Sequence, residues 1–303
     1  MRFNKSIDNS DNKMTENGDS GDSPTPNAPD NTYSQSCQLS ITGKSSEQSD
    51  LSANSCQQQK KHFPVGSEEN DIEILRKIEI RRKLNLSDLN SEIRDSAVRK
   101  LIQVGATLYL SDEALGRAIK IFDFNLFQEP DLKEQLDLLI ATSLLMAAKL
   151  EDVKRSDLCQ SIRNNFDGFE ESDILKFELK AFCNLNYDVI FSTAPQFLWY
   201  KLSKLSPQQY PDKDLISHYS RIVCLCSQSS LKCCEYDGEE IASESIKIAI
   251  DMVRNGKKIE DFNEADGNEF QKHAIFAMQK LNDIIPSGIF NGLIQLPQEE
   301  ISQ

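Results

Sequence analysis

The sequence predicts an all-α protein: two helical bundles, one helix ahead of them, and a disordered N-terminal tail. Three observations carry this. From residue 68 onward apolar side chains recur at three- and four-residue steps, the period of a buried helix face. No stretch there alternates apolar and polar residues as a half-buried strand would. Residues 1–66 are rich in Ser, Asn, Asp, Gln and Thr, too polar to bury the apolar surface that would offset ordering entropy.

Taken in order, "EENDIEILRKIEIRRK" sets Ile72, Leu75 and Ile78 on one face of a helix within the segment 67–90. Ser91 is a candidate cap for a second helix, with Ile93, Ala97, Leu101 and Val104 on one side. A third begins at Ser111 or Asp112 and runs through Ala114, Leu115, Ala118 and Phe122. Residues 131–149 are apolar nearly all round, as expected of a central helix. Helices at about 154–165 and 172–186 complete the first bundle, 91–192. In "STAPQFLWYKL" Pro195 suits the first turn of the helix that opens the second bundle, 193–288. Helices at about 213–230, 239–254 and 268–285 follow, and 289–303 reads as a tail.

The net charge of -14 is uneven: residues 1–66 hold 8 acidic and 6 basic side chains, which leaves -12 on the rest. Such a body repels phosphate backbones, so no nucleic-acid partner is expected. No apolar leader opens the chain, and the run Leu138–Ala148 is too short to span a bilayer. A soluble intracellular protein without a membrane partner is expected. The cysteine cluster "CLCSQSSLKCC" lacks zinc-site spacing, and reads as buried thiols with no metal or cofactor. With His62, His218 and His273 the only histidines, and no Walker, kinase or nucleophile-elbow motif, the chain is expected to act by binding, not catalysis.

Charges at positions that should be apolar are then the informative ones. "LLMAAKLED" (144–152) ends the most apolar helix on Lys149, which either snorkels into water or is held where a partner meets it. Glu178 lies three and four residues from Ile174, Leu175, Ala181 and Phe182, and a carboxylate inside such a stripe needs a donor. Arg94 and Asp123 also fall within helices; periodicity alone favours two unrelated solvated charges over an ion pair.

These residues resemble those of a cyclin. Stretch 91–192 is similar to the cyclin box through "AIKIFDFNLF", "LLMAAKLED" and "ILKFELKAFCNLNYDV", and "STAPQFL" is similar to the link into the second fold. Arg94, Asp123, Leu138, Lys149 and Glu178 match the five positions that define the box, with separations of 29, 26 and 29 for Arg94–Asp123–Lys149–Glu178 and no insertion against animal mitotic cyclins. "NDIEILRKIE" resembles the helix preceding the box in A- and B-type cyclins. The resemblance implies tandem five-helix folds and a regulatory subunit that binds and activates a cyclin-dependent Ser/Thr kinase catalytic subunit in cell-cycle progression. It implies residence in the nucleus, the cytoplasm or both.

By the same resemblance Lys149 donates to carbonyls, and Glu178 accepts N–H groups, beside the kinase's αC helix. Met146, Leu150, Phe182, Tyr187 and Val189 cover the apolar side of that helix, Ile72 and Ile74 extend the surface, and Arg94 pairs with Asp123 inside the box. The family's substrate-docking patch is degenerate: Ile93 remains, but Ser96, Ala97 and Lys100 replace large apolar residues, with Leu136 lining part of it. Recruitment of kinase substrates or inhibitors there is in question. Phe124 stands where the family commonly has Arg. Two other readings stay open: a specialised, for example meiotic, cyclin-like scaffold that activates no kinase, and a transcription factor of the same fold. Ser23 and Thr25 each precede a proline, and Arg81-x-x-Leu84 is too common a pattern to mark a degradation signal.

Overall fold

A computed structural model describes residues 68–84, 89–151, 156–256 and 267–283. The polar tail, Ser23, Thr25 and the segment 289–303 lie outside the described residues. Ten α-helices and two short 3-10 turns are present among the described residues, and no strand. They are α1 (Glu68–Arg81), α2 (Ser91–Thr107), α3 (Asp112–Gln128), α4 (Leu136–Leu150), α5 (Leu158–Arg163), α6 (Glu171–Asn184), α7 (Ala194–Ser203), α8 (Lys213–Ser227), α9 (Gly238–Asn255) and α10 (Glu269–Asn282). None is long and apolar enough to cross a membrane.

Helix α4 is the axis of the first group because every residue from Leu139 to Ala148 is buried. Ala141, Thr142, Ser143, Ala147 and Ala148 keep it thin, so α2, α3, α5 and α6 all pack against it. Between α2 and α3 the approach is closer still: a Cβ on Gly105 would lie 2.2 Å from Leu115 Cδ2. In the second group α8 packs on α9 and α10, and α7 on α8 and α9. Helix α3 joins the groups by touching α7 and α8, while α1 lies along α7.

Several boundaries differ from the sequence reading. Asn90 caps α2, its side chain accepting from Ile93 N at 3.1 Å, and Ser91 is already helical. The start of α3 agrees with that reading: Ser111 is its cap, accepting from Ala114 N at 3.1 Å. The segment 130–135 is a 3-10 turn rather than the start of the central helix. Its Asp131, Glu134 and Gln135 face solvent, so the continuous apolar surface that favours an α-helix begins at Leu136. Helix α6 stops at Asn184 because Asn186 and Tyr187 adopt left-handed φ values of 53° and 60°. Helix α8 stops at Ser227, and the chain then turns through Ser229 and Ser230 into a 3-10 turn at Cys233–Glu235.

The cysteines divide. Cys224, Cys226 and Cys233 are buried as apolar fillers, and burial pushes the Cys226 thiol up to about 12. Cys183 is exposed on α6 instead.

Candidate functional site

Lys149 occupies the last turn of α4, where the helix dipole favours a cation. Glu178 sits mid-way along α6, the helix packed beside it. The two meet: Lys149 Nζ donates to both carboxylate oxygens of Glu178 at 2.8 Å. The lysine side chain is 50% exposed and the glutamate 22%, so the pair is open to solvent from one side.

The stripe that α6 buries is Ile174, Phe177, Ala181 and then Leu185, which puts Glu178 on its edge. Leu175, assigned to the stripe from sequence, faces outward with Leu179, its neighbour one turn on. These two leucines belong to the exposed surface around Glu178, and their i, i+4 spacing was the signal for it. Leu150 and Tyr187 are exposed, and Phe182 and Val189 are half-buried. Phe182 and Tyr187 stack edge to face, with ring centroids 5.3 Å apart. Met146 differs: it is 4% exposed and packs in the core rather than offering surface. On α1, Ile72 is likewise a core residue, whereas Ile74 is exposed.

After Lys149 the chain is fixed by a contact the sequence did not indicate. Arg117 of α3 binds Glu151, Nε at 2.9 Å and Nη2 at 2.7 Å, while Asp152 lies outside the described residues.

Arg94 and Asp123 form a second, wholly internal pair. The guanidinium binds both carboxylate oxygens, Nε at 2.9 Å and Nη2 at 2.8 Å, with Arg94 at 0% and Asp123 at 3% exposure. Burial alone would lower the Arg94 pKa; the Asp123 charge overrides it and holds the arginine ionised. Arg94 Nη1 donates to Gln228 O at 2.9 Å, and Asp95 Oδ1 accepts from Leu231 N at 2.8 Å. The start of α2 therefore holds the chain leaving α8.

The α2 face that carries Ile93, Ser96, Ala97 and Lys100 contains no continuous apolar patch. Ala97 is buried, Ser96 is exposed, and Leu136 is half-buried. Lys100 Nζ donates to Asp137 at 2.7 Å and stands 4.9 Å from the centre of the Phe166 ring, so an ion pair occupies this face.

Comparison with known proteins bears on this arrangement. The family model "Cyclin, N-terminal domain" matches residues 68–190. The chain is similar to G2/mitotic-specific cyclin-B3 of Mus musculus, 31% identical over 111 residues, which are 37% of this chain and 8% of that protein. It is similar to cyclin-A2 of Xenopus laevis, 24% identical over 123 residues, 40% of this chain and 30% of the relative. To G2/mitotic-specific cyclin-A of Patella vulgata it is 24% identical over 164 residues, 54% of this chain and 37% of the relative. The chain thus spans well under half the length of each.

Proposed function

We propose that this chain is a member of the cyclin family, with the layout of the A and B types, and that it is a regulatory subunit that binds and activates a cyclin-dependent kinase. The observation that carries the reading is the Lys149–Glu178 pair, set on an open face among Leu150, Leu175, Leu179 and Tyr187. An exposed apolar surface around a cation and an anion suits a partner helix whose end groups are backbone carbonyls and N–H groups. Lys149 donates to the carbonyls, Glu178 accepts from the N–H groups, and Leu150, Phe182, Tyr187 and Val189 cover the helix side. Ile74 extends the surface from α1, while Met146 and Ile72 lie in the core and offer no surface.

Docking shifts the kinase's population toward the state with its αC helix inward, its own Lys–Glu pair formed and its activation segment open. Phosphoryl transfer stays on the kinase, and this chain contributes binding. The division into folds at 91–192 and 193–288 belongs to the same reading, as do a cell-cycle role and action in the nucleus or cytoplasm.

The test is to identify the cyclin-dependent kinase that co-purifies with the chain and assay the complex on a histone-type substrate. Lys149→Ala and Glu178→Ala are each expected to cost about 2–5 kcal/mol of binding. Unchanged affinity in both folded variants would refute the reading. A second reading, a scaffold that binds partners without activating a kinase, is favoured by the Lys100–Asp137 pair across the α2 face. It predicts a co-purifying kinase with no gain in activity. A DNA-binding role fits poorly with -12 on the body of the chain.

A further inference from the structure

Tyr187 is an exposed aromatic in a conformation that L-residues avoid. It and Asn186 both lie at left-handed φ, 60° and 53° respectively, although neither is glycine. Two consecutive residues of this kind persist only where the surroundings over-determine them. Backbone bonds supply part of that: Asn186 N to Cys183 O at 2.8 Å, Tyr187 N to Phe182 O at 3.0 Å and Asp188 N to Leu185 O at 3.1 Å.

The rest comes from far away in sequence. Arg82, just past the end of α1, donates through Nη2 to Leu185 O and Asp188 O, the carbonyls on either side of the strained pair. The same nitrogen is 2.7 Å from Asp188 Oδ2, and Arg81 reaches that oxygen at 3.0 Å. The Arg82 guanidinium lies over the adjoining Phe124 and Phe191 rings, 5.0 and 5.2 Å from their centres, with its side chain only 11% exposed. Asp188 in turn accepts from Ile190 N at 3.1 Å, closing the turn on its far side. An arginine this enclosed, bonded to main chain rather than to solvent, fixes backbone geometry.

We propose that Arg82 is a positioning residue for docking: it holds the 185–190 turn in the strained form that projects Tyr187 and sets Val189. The consequence for binding rests on the docking reading above; the effect on the turn does not. A lysine substitutes only in part, because it lacks the planar guanidinium that covers both rings while Nη2 reaches the two carbonyls and Asp188.

The test compares full-length parent, Arg82→Ala, Tyr187→Ala and the double variant. Amide hydrogen exchange is read at 185–191, and affinity is measured for the co-purifying cyclin-dependent kinase. In Arg82→Ala, exchange across 185–191 is expected to rise about tenfold or more while α3 and α4 keep their protection. Affinity should fall by about tenfold, and the double variant should bind no worse than Tyr187→Ala alone, because both act through one contact. Should Arg82→Ala not fold, Arg82→Lys serves, with the same pattern at smaller amplitude. Parental exchange across 185–191 overturns the proposal whatever the kinase does. A loss in the double variant equal to the sum of the single losses overturns the docking half. If the parent chain binds no cyclin-dependent kinase, the docking reading falls, and the exchange result alone decides whether Arg82 holds the turn.

Discussion

Asp123→Ala strands a charge. Arg94 has no exposure, and its guanidinium loses both carboxylate bonds at once, keeping the Gln228 carbonyl and a 3.3 Å contact to Asp95. Neither replaces a buried full charge at bidentate distance. Removing one member of such a pair costs about 3–5 kcal/mol, which for a chain of this size is a fall in melting temperature of about 6–20 °C. The apolar double variant Arg94→Met/Asp123→Leu removes both charges of the pair, and only the Gln228 carbonyl and Asp95 lose their arginine partner. It should be more stable than Asp123→Ala, because a buried ion pair is often no better than a well-packed apolar one. Urea denaturation followed by circular dichroism measures both. An Asp123→Ala chain within about 1 kcal/mol of the parent would refute the argument, as would a double variant less stable than the single, given the penalty for an unpaired buried charge.

Other outcomes follow from particular contacts. Gly105→Ala forces a Cβ against Leu115 and should cost about 1–3 kcal/mol in the same denaturation assay. Lys149→Ala and Glu178→Ala should each change folding stability by about 1 kcal/mol or less, since the pair is solvent-open, while kinase pull-down falls sharply. Glu113, on the first turn of α3, is pushed up to about 7 by burial and by the Asp112 carboxylate, which is itself bound to Arg221 at 2.7 and 2.9 Å. The folded chain holds that proton through a pH range where the unfolded chain has lost it, so this contribution is present in acid and disappears as pH rises toward about 7. His218, pushed down by burial and Arg221, has the opposite slope, so the measurement is the difference between Glu113→Gln and parent melting temperatures across pH 5 to 8, roughly the window of the two groups. That difference should shift in favour of Glu113→Gln as pH rises.

What was legible in the sequence depended on whether neighbours along the chain decide it. Helix α4 was visible because burial on every side leaves an unbroken apolar run, and α7 because Pro195 sits in its first turn. Helix starts were misread by a residue or a turn where two polar residues compete for one role, as Asn90 and Ser91 do. Leu175 of α6 was misassigned because its helical spacing suits either face; only the packing of α6 against α4 decides which side faces out. Pairs such as Arg94–Asp123 could be named by family resemblance, but their chemistry could not be derived from periodicity. Arg82 gave no signal at all, since its hydrogen-bond partners lie more than 100 residues away and are mostly main-chain carbonyls.

The self-pairing of Lys149 and Glu178 raises the question of whether the free chain blocks its own docking surface. Magnitudes argue otherwise. An exposed ion pair contributes about 0.2–1 kcal/mol, whereas hydrogen bonds to charged groups contribute about 1.5–3 kcal/mol each. Two such bonds to a partner helix outweigh the pair they loosen. The pair need not break fully either: the lysine has three donors, with two aimed at Glu178, and each carboxylate oxygen keeps acceptor capacity. Pairing also holds two long side chains in one arrangement, and ordering them at the interface would otherwise cost about 0.5–1.5 kcal/mol apiece. The contact therefore works as pre-organisation. Lys149 stands at the end of α4 with Glu178 already beside it, and on the docking reading proposed above a partner helix completes the arrangement rather than displacing it.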